Sequence, residues 1–474
     1  MNRRYLALDL GAESGRAILA NLADHKLELT ELHRFANTPV QLPSGLYWDT
    51  LRLFHEICEG IRSAAASSAE LDGIGVDTWG VDFGLLGAGD RLLENPRHYR
   101  DSTNWPSGID VFSVVSRAQI FRETGVQFMP INSLYQLYKF KQTSPELLKL
   151  AENLLFMPDL FNFFLTGRVA CERTIASTSQ FYNPATRRFA TDLLRRFGIQ
   201  ASFLPELVDP GTELGPVLSY ISDGCRLDMP VPVFAVGSHD TASAVAAVPA
   251  SGREGWCFIS SGTWSLMGVE LEAPLINDES QAADYTNEVG VDGRIRFLKN
   301  IPGLWVLQEC RRAWKLNGRE FSYAELIAEA QNAKPSSTVL DLSLFQAPGD
   351  YPCMIRYFCR ETGQEFVDEP GFIARLVLFS LAARYRDVLE SLESLTNISI
   401  DVIHIVGGGS RNRLLNQMTA DATGRRVIAG PAEATAAGNG LTQALGTGQI
   451  ATLEELRAVV RQSFEVEEFR PGGK

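Results

Sequence analysis

The stretch LDLGAESGR, residues 8–16, decides how this chain is read. An apolar strand runs into a glycine turn, where exposed backbone N–H groups commonly hold phosphate. Yet the stretch carries two carboxylates, Asp9 and Glu13, and no lysine. It contains neither GxxxxGK[ST] nor GxGxxG, so it is not a P-loop and not a dinucleotide fingerprint. A cation would resolve the conflict: Asp9 holds Mg2+ through water, while Ser14, Gly15 and Arg16 face phosphate. The plainer alternative is a hairpin with a solvated acidic turn.

Working outward, YLALDL and GRAILANL flank the turn as strands, and KLELTELHRF follows as a third with alternating apolar positions. DTLRLFHEICEGIRSAAASS reads as a helix with Asp49 as its N-cap. Its apolar face is expected to hold Leu51, Leu53, Phe54, Ile57 and Ile61. LDGIGVDTWGVDFGLL is β-rich, and residues 105–200 are mostly helical. VPVFAVGSHDTASAVAAV places a buried strand before a helix of small residues.

WCFISSGTWSLMGVEL, residues 256–271, repeats the plan of the N-terminus: strand, glycine turn with a hydroxyl residue, strand. Either the fold is duplicated, or two common hairpins coincide. DVIHIVGGGSRNRLLNQMTADATG gives a third glycine turn, after a strand and before a helix ended by Gly424. PAEATAAGNGLTQALG is a further small-residue helix, with Pro431 suited to its first turn.

The chain has 474 residues, too many for one ordinary core, which implies two domains of similar size. Its hydrophobic and charged fractions, 45% and 21%, are those of a globular protein. A formal charge of −13 argues against a nucleic-acid partner or an anionic membrane surface, but not against a small anion held locally. The seven cysteines have no metal-ligand spacing and no CxxC, and the six histidines form no HxxxH pair. Cys353 and Cys359 are near enough in sequence to bridge, yet reduced thiols are expected in a cytoplasmic protein. MNRRYLAL is cut short by Asp9, and FIARLVLFSLAARY is interrupted by Arg375, so neither reads as a signal core or a membrane span.

SHDTASAV, residues 238–245, is the second chemical site. Asp240 follows a strand and opens a helix, where the dipole favours an ionised carboxylate. Such a group orients a hydroxyl and takes its proton in phosphoryl transfer; the alternative is a plain N-cap. His239 is either structural or a hydrogen-bond donor to a sugar. DTWGVDFGLL, residues 77–86, offers Asp77, Trp79, Gly80, Asp82 and Phe83, the mixture of carboxylates and flat apolar surface that sugars need. Its alternative is a core strand pair with two turn aspartates. Trp264 and Trp305 read as core or pocket walls.

Together these motifs resemble the FGGY family of carbohydrate kinases, from DLGAESGR to GPAEATAAGNG near residue 440. GVQFMPINSLYQL, ISSGTWSLMG, LKNIPGLWVLQ and HIVGGGSRN, in that order, carry the likeness further. The resemblance implies a two-domain α/β ATPase fold of the actin/hexokinase (ribonuclease H-like) type, with a duplicated core and an active-site cleft between domains. Residues 1–243 would form the sugar-binding domain and residues 244–474 the nucleotide-binding domain. It implies phosphorylation of the 1-hydroxyl of L-rhamnulose by Mg·ATP, giving L-rhamnulose 1-phosphate in L-rhamnose catabolism.

By the same resemblance Asp240 matches the catalytic base, and Gly80, His239 and Thr241 join it as sugar contacts. Ala12, Glu13, Ser14, Gly15 and Arg16 match the first phosphate loop and Thr263 the second. Asn300, Gln308 and Gly409 match further nucleotide positions, and Asp9 the acidic residue near the metal. Two departures stand out. Glu13 replaces a small hydroxyl residue of many members, and YRDSTNW, residues 99–105, lacks the arginine that often follows Asp101. The expected assembly is a monomer or homodimer. The alternatives are a kinase for L-fuculose, xylulose or glycerol, and an actin-like ATPase that needs no sugar. A catalytically silent sugar-binding regulator has little support.

Overall fold

Alternation of apolar residues in the N-terminal segment produces an antiparallel hairpin, Arg3–Leu10 with Ser14–Ala23, extended by Lys26–Ala36. The computed structural model describes residues 2–67, 70–101, 107–252, 254–345 and 347–472. They divide into two compact units. The first holds Met1–Ala247, Glu270–Phe297 and Ala434–Ser463; the second holds Val248–Val269, Leu298–Glu433 and Phe464–Lys474.

The sheet of the first unit runs Glu213–Pro216, Pro232–Phe234, Gly73–Thr78, Arg3–Leu10, Ser14–Ala23, Lys26–Ala36. Arg3–Leu10 and Pro232–Phe234 both lie parallel to Gly73–Thr78, so three strands end on the same side. Side chains of Arg3–Leu10 alternate between two cores. Leu6 and Leu8 pack with Leu53, Ile57 and Ile61 of the helix Thr50–Ala66, while Ala7 packs with Ala436 of the helix Ala434–Gly446. Asp49 caps the first of these helices by accepting from the Arg52 N–H. Leu51, expected on its apolar face, is 67% exposed, because it projects from the side opposite Leu53 and Ile57.

Small residues set the second face. A Cβ on Gly438 would lie 1.8 Å from the Ser243 carbonyl oxygen, so glycine lets the helices Ala434–Gly446 and Asp240–Ala246 touch along their backbones. Pro431 precedes the helix Ala434–Gly446 by three residues instead of opening its first turn. A second apolar core, with Phe83, Leu154, Ile175, Phe181 and Leu193, fills the mainly helical region between residues 83 and 204.

The second unit repeats the sheet plan. Trp256–Ser261 is central, with the antiparallel Trp264–Leu271 on one side, then Ile295–Pro302. Val402–Val406 and Arg426–Ala429 lie parallel on the other side, and the antiparallel Glu467–Phe469 closes that edge. The fold is therefore duplicated: hairpin, two parallel strands and an antiparallel edge strand occur twice in the same order. FIARLVLFSLAARY belongs to the buried helix Pro370–Thr396. Among the described residues no helix is long and apolar enough to cross a membrane, and all seven cysteines are free, Cys353 and Cys359 included.

Candidate active site

The turn at residues 11–13 is closed by the Gly11 N–H donating to the Ser14 carbonyl at 2.9 Å. Asn37 braces it, its Nδ2 donating to the Gly11 carbonyl and its N–H to that of Glu13. Ala12 and Ser14 are half-buried and Glu13 is exposed. Gly15 is buried in the strand, where a Cβ would lie 2.1 Å from the Phe35 ring, so packing alone requires glycine there. Arg16 Nη2 meets Asp9 Oδ2 at 2.5 Å. The negative charge at Asp9 is thus balanced within the hairpin, by the residue directly across the register.

Parallel pairing places Asp77 beside Asp9 at the strand ends. Asp77 is fully buried, and burial together with the Asp9 carboxylate pushes its pKa well above the usual range. Asn439 Nδ2 donates to Asp77 Oδ2 at 2.6 Å. Among the described residues Oδ1 of Asp77 has no hydrogen-bond partner.

Asp240 is the first residue of the helix Asp240–Ala246 and His239 is its N-cap. The carboxylate is 31% exposed and accepts from the buried Thr241 Oγ1 at 3.1 Å. Helix-dipole reasoning points to a lowered pKa. Burial outweighs it: with Asp9 adding to the effect and His239 opposing, the Asp240 carboxyl is raised. His239 Nε2 lies 3.5 Å from Asp240 Oδ1. A Cβ on Gly80 would sit 3.4 Å from that Nε2, so glycine leaves this edge of the imidazole open. Gly80, His239, Asp240 and Thr241 are therefore neighbours in the first unit.

The loop before Asp240 is held from below by Glu172. This buried carboxylate accepts from the Ser238 N–H and from Thr174 Oγ1, whose oxygen accepts from the His239 N–H at 3.2 Å. Burial raises the Glu172 carboxyl to about 7 despite these donors.

Asp82 lies in the core. Its carboxylate is fully buried and accepts from Trp48 Nε1 at 2.6 Å, Trp79 Nε1 at 3.0 Å, Gln136 Nε2 at 2.8 Å and the Tyr99 N–H at 3.2 Å. Trp79 and Phe83 are buried as well, so this run is mostly core behind Gly80. Asp101 is buried and accepts from the Leu46 N–H at 2.9 Å, which ties down the hairpin Val40–Leu42 with Gly45–Tyr47. Residues 102–105 of YRDSTNW lie outside the described residues.

In the second unit the turn at Gly262–Thr263 is closed by the Gly262 N–H donating to the Trp264 carbonyl at 2.9 Å. The Trp305 N–H donates to the Thr263 carbonyl, and Gln308 Nε2 stands 3.5 Å from Thr263 Oγ1. Asn300 lies on the strand leading into this helix start. A Cβ on Gly409 would be 2.0 Å from Ser261 Oγ, so the third glycine turn abuts the end of the central strand. A cavity of about 390 Å³ opens there, lined by Gly408, Gly409, Asn412, Leu304, Tyr323 and Ile327. Its size and apolar walls suit a nucleobase.

Hard oxygen donors are what Mg2+ takes, and the Asp9 carboxylate supplies them. Among the described residues no three acidic, histidine or cysteine side chains are arranged to hold a metal by themselves. That donor set fits a metal bound chiefly through phosphate and water. Sequence reading placed the glycine turns and the His239–Asp240 pair, but not Glu172, Glu288, Arg296 or Asn439. Only Asn439 lies in a quoted motif, GPAEATAAGNG, and could have been singled out there.

Residues 4–247 match the N-terminal domain of the FGGY family of carbohydrate kinases, and residues 257–447 match its C-terminal domain. A rhamnulokinase of Bacteroides thetaiotaomicron is 42% identical over 473 residues, 99% of this chain and 96% of that protein. A rhamnulokinase of Bacillus subtilis is 38% identical, with 98% of this chain and 95% of that protein covered. The fold is similar to a ligand-bound xylulose kinase from Lactobacillus acidophilus, with TM-score 0.80 at 16% identity, 99% of this chain and 94% of that one. It is similar also to Plasmodium falciparum glycerol kinase with ADP, with TM-score 0.78 at 16% identity and the same coverage. The chain belongs to the FGGY family of carbohydrate kinases.

Proposed function

We propose that this chain transfers the γ-phosphoryl group of ATP to the 1-hydroxyl of L-rhamnulose, giving L-rhamnulose 1-phosphate and ADP. The observation that carries the chemistry is a half-buried carboxylate of raised basicity, Asp240, beside an imidazole whose Nε2 edge Gly80 leaves open. The substrate assignment rests on the full-length likeness to proteins named rhamnulokinase.

Asp240 accepts the proton of the sugar hydroxyl as its oxygen bonds to the γ-phosphorus and the bond to the ADP oxygen breaks. Its raised pKa makes it a better base than an exposed aspartate. Thr241 orients the carboxylate through Oγ1, and Gly80 and His239 Nε2 form the sugar-facing edge. Ala12, Glu13, Ser14, Gly15 and Arg16 present the first phosphate loop, with Glu13 contributing backbone only. Thr263, Asn300, Gln308 and Gly409 serve the nucleotide in the second unit. Asp9 is the residue to hold Mg2+ through water, and the ion, when bound, offsets charge on the phosphate oxygens. Arg16 then divides its charge between Asp9 and phosphate. Seven free thiols agree with a reducing cytoplasm.

Phosphorus NMR of the product tests the assignment. A phosphate resonance coupled to the C1 protons of L-rhamnulose is expected. Inorganic phosphate alone would overturn it.

A further inference from the structure

Between the strands Gly73–Thr78 and Phe83–Gly87 the chain turns on Val81, whose φ is 71°. Among the described residues nine other than glycine have positive φ, and Val81 is the one with a β-branched side chain. Its two branches crowd the backbone in that region, so the conformation is strained. The Asp82 N–H donates to the Gly80 carbonyl at 3.0 Å, which closes a three-residue turn around Val81. A turn of this kind with positive φ at its centre is the rare and strained form.

Both backbone polar groups of Val81 are pinned by hydroxyls from distant segments. Its N–H donates to Thr178 Oγ1 at 3.2 Å, and its carbonyl accepts from Ser133 Oγ at 2.5 Å. Thr178 Oγ1 spends its own proton on the Ile175 carbonyl at 2.8 Å, so it meets Val81 as an acceptor. Thr178 and Ser133 are both buried. The Val81 side chain belongs to the apolar core that also holds Leu10, Trp48 and Met157, an anchor that glycine would lack.

Strained backbone persists only where its surroundings over-determine it, and it collects at functional sites. This turn borders Gly80. A Cβ on Gly80 would lie 3.3 Å from Thr178 Cγ2 and 3.4 Å from His239 Nε2. His239 is held independently: Arg296 Nη2 lies 3.3 Å from His239 Nδ1 and 3.1 Å from Glu288 Oε2. We propose that Thr178 is a positioning residue for the sugar: its hydroxyl, with that of Ser133, keeps Val81 in the strained turn and so sets Gly80 against His239 Nε2. The kinetic part of this inference rests on the sugar-facing edge described under the proposed function; the strain does not. Without the clamp Val81 relaxes to negative φ, the Gly80 peptide swings with it, and the edge loses its shape.

Two sets of variants of the full chain test it. Val81→Ala and Val81→Gly both remove the buried branches, but only glycine takes positive φ without strain. Val81→Gly should therefore melt at a higher temperature than Val81→Ala, and the opposite order overturns the proposal. In kinetics, Thr178→Val keeps the shape of the side chain and removes the acceptor of the Val81 N–H. It should lower kcat/KM for the sugar by on the order of 100-fold, as a displaced contact does, with KM for ATP unchanged. Thr178→Ser, which retains the hydroxyl, should stay within several-fold of wild type. In a Val81→Gly background, where the turn needs no clamp, Thr178→Val should cost far less. An undiminished loss there, or an equal loss on the ATP side, overturns the positioning role. The melting comparison needs neither substrate nor a folded Thr178 variant, so it can sink the proposal even where Thr178→Val fails to fold. If ADP release follows a sugar other than L-rhamnulose and Thr178→Val loses it selectively, the substrate assignment fails and the positioning role stands.

Discussion

Asn439 donates from Nδ2 to Asp77 Oδ2 at 2.6 Å, joining residues 362 positions apart in one buried contact. The bond ties the helix Ala434–Gly446 to the end of the strand Gly73–Thr78, next to Asp9 in the register. Asn439→Ala removes the one side-chain donor that Asp77 has among the described residues and leaves a buried carboxyl unsatisfied. It should cost about 1–3 kcal/mol. Urea unfolding of the variant against the wild type measures this, and a difference near zero would show that Asp77 finds another partner.

Replacing Asp240 tests the base. Asp240→Asn should retain the fold and lose about 100- to 10,000-fold in kcat, the usual worth of general base catalysis. The raised pKa gives the wild type a further signature. A base acts when ionised, so kcat/KM should rise with pH through an acid limb lying above the ordinary aspartate range. A limb at or below that range would remove burial as the factor that sets its strength.

Gly80 has no left-handed backbone requirement, so Gly80→Ala tests space alone. The added methyl would lie 3.4 Å from His239 Nε2 and 3.3 Å from Thr178 Cγ2, where a sugar must approach. KM for the sugar should rise several-fold while KM for ATP and the unfolding midpoint stay near wild type. Unchanged sugar kinetics would move the sugar away from this edge.

Asp82 links stability to pH. Burial raises its carboxyl to about 7 even though four N–H groups donate to it. The folded state therefore binds this proton more tightly than the unfolded chain, whose aspartates titrate near pH ~3.9. Its contribution is complete below that pH and is lost as the pH rises through about 7. Wild type should lose stability between about pH 4 and about pH 7 more steeply than Asp82→Asn, which has nothing to titrate there. Parallel pH curves from thermal melts would contradict this.

Much of this molecule was legible in its sequence, for local reasons. Alternation and glycine turns gave the two hairpins, Asp49 announced its helix, and the 256–271 stretch signalled the duplication that both sheets display. Asp240 at the start of a helix was visible as well. What escaped notice depends on register or on distant segments. Arg16 was read as facing phosphate, and its pairing with Asp9 depends on the hairpin register that sets the two opposite each other. The 77–86 run was left between a sugar-pocket and a core reading because no local pattern shows Trp48 and Gln136 converging on Asp82. Glu288 and Arg296 belong to strands without any motif, and only the folded chain brings them behind His239.

The most direct measurement of the central claim is ADP release from Mg·ATP with L-rhamnulose, L-fuculose, xylulose, glycerol or no sugar. Strong release with L-rhamnulose, little with the others and almost none without sugar is the predicted result. Release that is equally fast without any sugar would contradict the account.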